Sequence, residues 1–511
     1  MSRKAIITGT IILTAANLIT KCMGFFNRVY LSNTIGAEGI GLYQLILPVY
    51  GLAWSITSAG FTTAISHLTA REHIRGQSGN IGRIVKQSVL ISLGVSIFVS
   101  LLLFCFSEEI SLIFLKDSRA VHPLQLLAIA VPFMSTGSCL RGFFLGLQET
   151  FIPALSQILE QSIRILTVYL LADTFVPLGL TSACMAAVGG ILLGEFASCI
   201  FTAWNYLHYK RNHHFIRKPT LSSSAALSMI LATALPLSAS RISASLLGTA
   251  ENLLIPRQLH LHGQNTAQAL ATYGELTGMA IPLILLPSAC LMAASVSLVP
   301  EISEASAIRQ DIRIGKTISA TFLFTSIVGF GAAALFGVFP KEICYIVYNR
   351  PALGQVLFPL AFLCPVLYAQ TTLNGLLNGL GEQFFLFWNN MLSSIISIAI
   401  IWFAMPVYGI AAFLAGWFFS LLFSVMTALF LLYKRTGILP SFYNCFLKPM
   451  LAGAASGLLV RYFIRIAEPS KLLFLGSLTF MGCLYLLLLY LLGCFSAKEL
   501  FSIFPIKKSR S

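Results

Sequence analysis

Thr10, Thr14, Asn17, Lys21, Gly24 and Arg28 follow one another at steps of three or four residues, which lines them up along one face of a helix. The stretch that carries them is otherwise apolar enough, from Ala5 onward, to be a membrane span. An arginine at membrane depth costs about 2.5–3.5 kcal/mol even on the lenient insertion scale, so Arg28 has to meet water, a partner or a ligand there. Ser238, Arg241, Ser245, Gly248 and Asn252 repeat the same spacing in a later apolar run. Two polar, partly cationic stripes of this kind are what two helices facing a shared aqueous cavity would present. A blander reading stands beside it, in which Lys21 and Arg28 snorkel to an interface or pair inside the bundle.

Further charges lie within apolar runs: Glu160, Arg164, Glu195, Glu251, Arg257 and Glu275. Glu160 and Arg164 stand at i and i+4 in the favourable order, which suits a structural ion pair as well as a substrate role. Glu195 and Glu275 stand singly and suit either structural hydrogen bonding or ion and proton coupling.

The whole chain supports a membrane setting for these residues. Of its 511 residues, 57% are hydrophobic and only 10% charged, and the mean hydropathy is +0.84. A soluble protein would carry about a quarter charged residues. The eleven cysteines are scattered without a C-x-x-C and read as small buried hydrophobes. His213 with His214 and His260 with His262 lack carboxylate or thiolate company at ligand spacing, so no metal and no cofactor is expected. The basic, apolar start lacks a cleavage site followed by a polar chain, and reads as a retained first span.

Apolar runs of about twenty residues predict an all-α membrane protein. There are fourteen, centred near residues 18, 55, 95, 135, 163, 193, 238, 283, 326, 366, 394, 420, 456 and 483. Loops after even-numbered spans collect Arg71, Arg75 and Arg83, then Lys210, Arg211, Arg217 and Lys218, then Arg309, Arg313 and Lys316, then Lys434, Arg435 and Lys448. This bias puts both termini on the cytoplasmic side of the cell membrane. The net charge of +15 then follows from the bias and from anionic lipid headgroups, so no nucleic acid is implied.

One internal repeat runs at an offset of 233 residues. It pairs Ile81 and Gly82 with Ile314 and Gly315, Glu109 with Glu342, Pro132 with Pro365, Gly142 with Gly375, Gly146 with Gly379, and Glu149 with Glu382. Each repeat holds six spans, an even number that returns the chain to its starting side. Two parallel six-helix lobes are therefore expected, residues 1–218 and 219–440, with two additional helices and a basic tail in 441–511. The repeat also disposes of "RIGKTIS" as a phosphate loop. That motif needs a glycine where Gln310 stands, and the first-half counterpart is plain "NIGRIVK".

Four stretches carry a family resemblance over nearly the whole chain: "GFFNRVYLSNTIGAEGIGLYQL", "RGFFLGLQETFIPALSQILEQSIRI", "ATYGELTGMAIPL" and "LVPEISEA". They resemble the stage V sporulation protein B group. That group belongs to the polysaccharide-flippase branch of the multidrug/oligosaccharidyl-lipid/polysaccharide (MOP) exporter superfamily. The resemblance implies a MATE-like fold of fourteen helices, alternating access, and translocation of undecaprenyl-pyrophosphate-linked saccharides such as lipid II. It also implies a role in spore-cortex peptidoglycan, with peptidoglycan synthases as partners. The first-span cavity arginine of related lipid II flippases matches Arg28, and Arg257 is a looser match. A pyrophosphate crossing a bilayer needs fixed cations, which Lys21, Arg28, Arg164, Arg241 and Arg257 would supply with Asn17 beside them. The alternative is an ion-coupled multidrug or organic-cation antiporter, for which Glu195 or Glu275 rather than Arg28 would be indispensable. An enzyme is not expected, because the chain has three Asp and no long loop to carry catalytic carboxylates.

Overall fold

The computed structural model describes residues 3–212, 219–291, 302, 311–466 and 471–494. The basic residues at 213–218, Arg309, the 298–305 motif apart from Ile302, and the tail beyond residue 494 lie outside the described residues, as do the side chains of Thr10 and Arg313. The described residues are almost all helical, with short turns between helices and no strand. Its main helices are α1 (Arg3–Trp54), α2 (Gly60–Ile74), α3 (Ser78–Cys105), α4 (Val121–Gly146), α5 (Phe151–Phe175), α6 (Leu180–Asn212) and α7 (Ser223–Leu261). They are followed by α8 (Thr266–Tyr273), α9 (Ile281–Leu285), α10 (Asp311–Val338), α11 (Pro340–Tyr348), α12 (Gly354–Ala361) and α13 (Cys364–Gly379). The series ends with α14 (Gln383–Tyr408), α15 (Ile410–Thr436), α16 (Lys448–Ile466) and α17 (Lys471–Leu491).

Every expected span centre falls inside a helical segment. Among the described residues, eight helices are long and apolar enough to cross a bilayer, or nine if the pair bent by 54° at 351–379 counts as one span. One of the eight, Ile11–Ile74, is 64 residues long and therefore reaches across a membrane twice. It breaks at Gly36, whose φ of 74° with ψ of −177° is a conformation essentially reserved for glycine. Pro48 lies in the helix that resumes after it.

Contacts divide the chain into two compact units. One is Met1–Met279 with Ser397–Phe413, and the other is Ala280–Ile396 with Leu414–Ser511. Inside the first, Phe61, Ile65, Ile81, Val85, Leu140, Phe143 and Phe144 form a buried apolar cluster. Inside the second, Ile314, Ile318, Leu373, Leu376 and Leu377 do the same. Ile81, Val85, Leu140, Phe143 and Phe144 map onto those five at the repeat offset. The backbone obeys the repeat as well. The end of α4 is capped by Glu149 N–H donating to the Phe144 carbonyl, and the end of α13 by Glu382 N–H donating to the Leu377 carbonyl. Left-handed Lys116 and Gln148 correspond to left-handed Asn349 and Gly381.

Glycines bring two of the quoted motifs together within the first unit. A Cβ on Gly41 would collide with the Leu270 carbonyl, and one on Gly274 with the Ala37 carbonyl and Gly41 backbone. The "TIGAEGIG" turn and the "ATYGELTG" segment thus touch backbone to backbone. The start of α7 is fixed by Asn80, which accepts from the Thr220 and Leu221 N–H groups at 2.9 and 3.0 Å and donates to buried Glu72 at 2.8 Å.

Candidate functional site

The close approach of α6 to α5 explains how charged side chains come to share one interior. Gly190 and Gly194 face α5 one turn apart. A Cβ on Gly194 would stand 2.8 Å from the Glu160 carbonyl oxygen, and one on Gly190 would stand 2.9 Å from that of Arg164. Residue 195 follows immediately, so its carboxylate enters the same layer as Glu160 and Arg164.

Arg164 donates to Glu160 Oε1 at 2.8 Å, the i,i+4 pair expected from the spacing. Glu160 Oε2 lies 3.8 Å from the Arg141 guanidinium. Arg141 in turn donates to Ser198 and Ser138, both at 2.9 Å. Glu195 is not isolated, as its place in the sequence suggested. Its Oε1 accepts from the Tyr50 hydroxyl at 2.5 Å, and Glu160, Arg141 and Arg164 lie within electrostatic reach. Its Oε2 and the Arg164 Nε are buried without a partner among the described residues. Two arginines and two carboxylates from α4, α5 and α6 thus form one low-dielectric cluster, with Tyr50 of α1 as its fifth member.

Arg28 of α1 approaches this group only by way of Tyr43. It is half-buried, and it makes no hydrogen bond or ion pair among the described residues. The Tyr43 hydroxyl lies within electrostatic reach of both Arg28 and Arg164. Gly24, one turn before Arg28, faces the Gln161 side chain of α5 at 3.6 Å from where a Cβ would be. Asn17 and Lys21, earlier on the stripe, are exposed.

The α7 stripe is less uniform than its spacing suggests. Ser238 is buried against Gly60, whereas Arg241 is exposed. Asn252 accepts from the Tyr273 hydroxyl at 3.0 Å, and Glu251 accepts from Ser397 at 2.6 Å. Arg257 lies over the Trp402 ring, 5.8 Å from its centroid. Glu275 sits half-buried on the wide turn Gly274–Ala280 and also has a partner. The structure therefore gathers Glu160, Arg164 and Glu195, places Arg28 nearby through Tyr43, and leaves Arg241, Glu251, Arg257 and Glu275 in other surroundings.

Arg141, Tyr43 and Tyr50 were not legible as members of the site. Arg141 carried the same signal as Arg28, a cation inside an apolar run, but its place in the repeat motif hid it. The repeat does show that the charge is one-sided. At the same offset Arg141, Glu160 and Arg164 become Asn374, Ser393 and Ser397.

Comparison with known proteins follows the same lines. Residues 6–306 match the family described as polysaccharide biosynthesis protein. Stage V sporulation protein B of Bacillus subtilis (strain 168) is 29% identical over 404 residues, 78% of each chain. The lipid II flippase MurJ of the same organism is 27% identical over 220 residues, 40% of each chain. Among solved structures, lipid II flippase MurJ in an inward closed conformation superposes with a TM-score of 0.71 at 14% identity, covering 96% of this chain and all of that one. An inward-facing MATE family multidrug transporter of the MOP superfamily gives 0.66 at 15% identity, covering 84% and 98%. The fold is thus that of MOP transporters.

Proposed function

The chain belongs to the polysaccharide biosynthesis protein family, and on that premise we propose that it is a flippase. Its cargo is an undecaprenyl-pyrophosphate-linked saccharide, lipid II or a related precursor, carried across the cytoplasmic membrane by alternating access for spore-cortex peptidoglycan. The names of its relatives support this cargo class, and so does the charge arrangement in α1 and α5. The observation that carries the reading is Arg28. A guanidinium set into a membrane helix without an ion pair among the described residues is a standing site for an anion.

In this reading Arg28 grips the pyrophosphate through its planar fork, which matches phosphate geometry bidentately. Gly24, one turn before it, lets the Gln161 amide of α5 come alongside the stripe. Lys21 and Asn17 extend the polar track along the same face. Arg164 is held by Glu160 and offers the carried anion its remaining donors, and the carboxylates keep the cluster from gripping the anion too tightly to release it. The lobes 1–218 and 219–440 are the proposed moving halves, with 219–279 packed in the first compact unit in the state described; both termini stay cytoplasmic, and peptidoglycan synthases take the delivered lipid.

The test is complementation of a flippase-deficient or cortex-deficient strain, with membrane abundance checked by immunoblot. Arg28→Ala should accumulate normally and fail to complement. Arg28→Lys should recover part of the activity, because it keeps the charge and loses the fork. Full complementation by Arg28→Ala would remove the proposed role.

A further inference from the structure

A second concentration of cations lies away from Arg28, at the end of α7. Lys116, Arg257 and His260 line a hollow of about 300 Å3 within the first unit, and Phe114, Leu253 and Leu270 supply much of its apolar wall. That volume is at the lower end of the range for small-molecule sites.

The one carboxylate in the wall is already engaged. Asp117 accepts from Arg119 Nε at 2.9 Å and Nη2 at 2.7 Å, and Arg119 also donates to Glu38 at 2.7 Å. Asp117 and Glu38 thus share one guanidinium, and the single negative charge this trio keeps is outweighed by Lys116 and Arg257 together. Lys116 and Arg257 make no ion pair among the described residues. Arg257 lies over the Trp402 ring, 5.8 Å from its centroid, and its N–H donors make no hydrogen bond among the described residues. His260 donates from Nδ1 to the Gln264 carbonyl at 2.8 Å, so its Nε2 is free to meet a hydroxyl. The left-handed backbone at Lys116 recurs at Asn349 in the repeat, where the side chain is neutral, so only the first unit has this cation.

Two unpaired cations beside an apolar wall fit an anion attached to a hydrocarbon. We propose that this hollow binds a phosphate carried on an apolar tail, either an isoprenyl pyrophosphate or the headgroup of an acidic phospholipid. The inference rests on the flippase reading and deepens it. In the orientation expected from the loop charges this end of α7 is extracytoplasmic, so the hollow would be a second station for the lipid-linked anion after it leaves Arg28. Arg257 then works with Lys116 rather than with the α1 stripe.

Photocrosslinking tests this without depending on transport. Full-length protein with benzoyl-phenylalanine in place of Phe114 is reconstituted in phosphatidylcholine vesicles containing undecaprenyl pyrophosphate or phosphatidylglycerol, and adducts are identified by mass. Lys116→Ala combined with Arg257→Ala should reduce the anionic-lipid adduct about tenfold or more, since each lost charge-assisted contact is worth about that factor. Lys116→Arg combined with Arg257→Lys should retain most of it, which separates loss of charge from loss of fold. An adduct with undecaprenyl pyrophosphate names the carried lipid as the occupant, and an adduct with phosphatidylglycerol alone names a bulk lipid. Equal adducts with phosphatidylcholine, or adducts unchanged by the double alanine variant, would overturn the site. Such a result would leave the Arg28 complementation test untouched.

Discussion

Replacing Arg164 with Gln removes the partner that Glu160 holds at 2.8 Å. Breaking a buried ion pair from one side costs about 3–5 kcal/mol, because the remaining charge stays desolvated. Two features lower that figure here. The Glu160 and Arg164 side chains are 16% and 20% exposed, and Arg141 remains 3.8 Å from the carboxylate. The expected loss is about 2–3 kcal/mol, a shift of about 30- to 150-fold in the folded-to-unfolded ratio. Glu160→Gln with Arg164→Gln leaves two neutral amides that can bond each other, and should recover all but about 1 kcal/mol of the loss. The measurement is a double-mutant cycle on detergent-purified protein, read as the fraction of monodisperse protein surviving a temperature series, with membrane abundance as a check. Additive effects of the two single variants would refute the pairing argument. Full stability of Arg164→Gln together with lost transport would instead make Arg164 a substrate contact whose charge needs no partner.

Two other substitutions probe the surroundings of this pair. Gly194→Ala puts a methyl 2.8 Å from the Glu160 carbonyl oxygen, a backbone atom that cannot step aside. It should cost about 1–3 kcal/mol of stability in the same survival assay, and no loss would mean that α5 and α6 separate freely. Cysteines at Asn17 and Ser245, in a background without native cysteine, should both react with a water-soluble thiol reagent. If both remain inert while loop cysteines react, the two stripes do not share water.

Composition and periodicity were enough to determine that the chain crosses a membrane as helices, and the repeat was enough to predict equivalent segments in its two halves. Those features are local or nearly so, since an apolar run must satisfy its own backbone hydrogen bonds in lipid and a helix does so unaided. Glu160 and Arg164 were legible for the same reason, being one helical turn apart. Arg28 was legible because its desolvation is costly wherever its helix packs. The union of Arg141 and Glu195 with that pair was decided only by tertiary structure. It depends on Gly190 and Gly194 letting α6 approach α5, and on α4 and α1 bringing Arg141 and Tyr50 alongside. The different fates of the α7 residues have the same origin. Spacing sets the face on which Ser238, Arg241, Glu251 and Arg257 project, but Gly60, Ser397 and Trp402, each distant in the chain, determine which of them are buried, bonded or stacked.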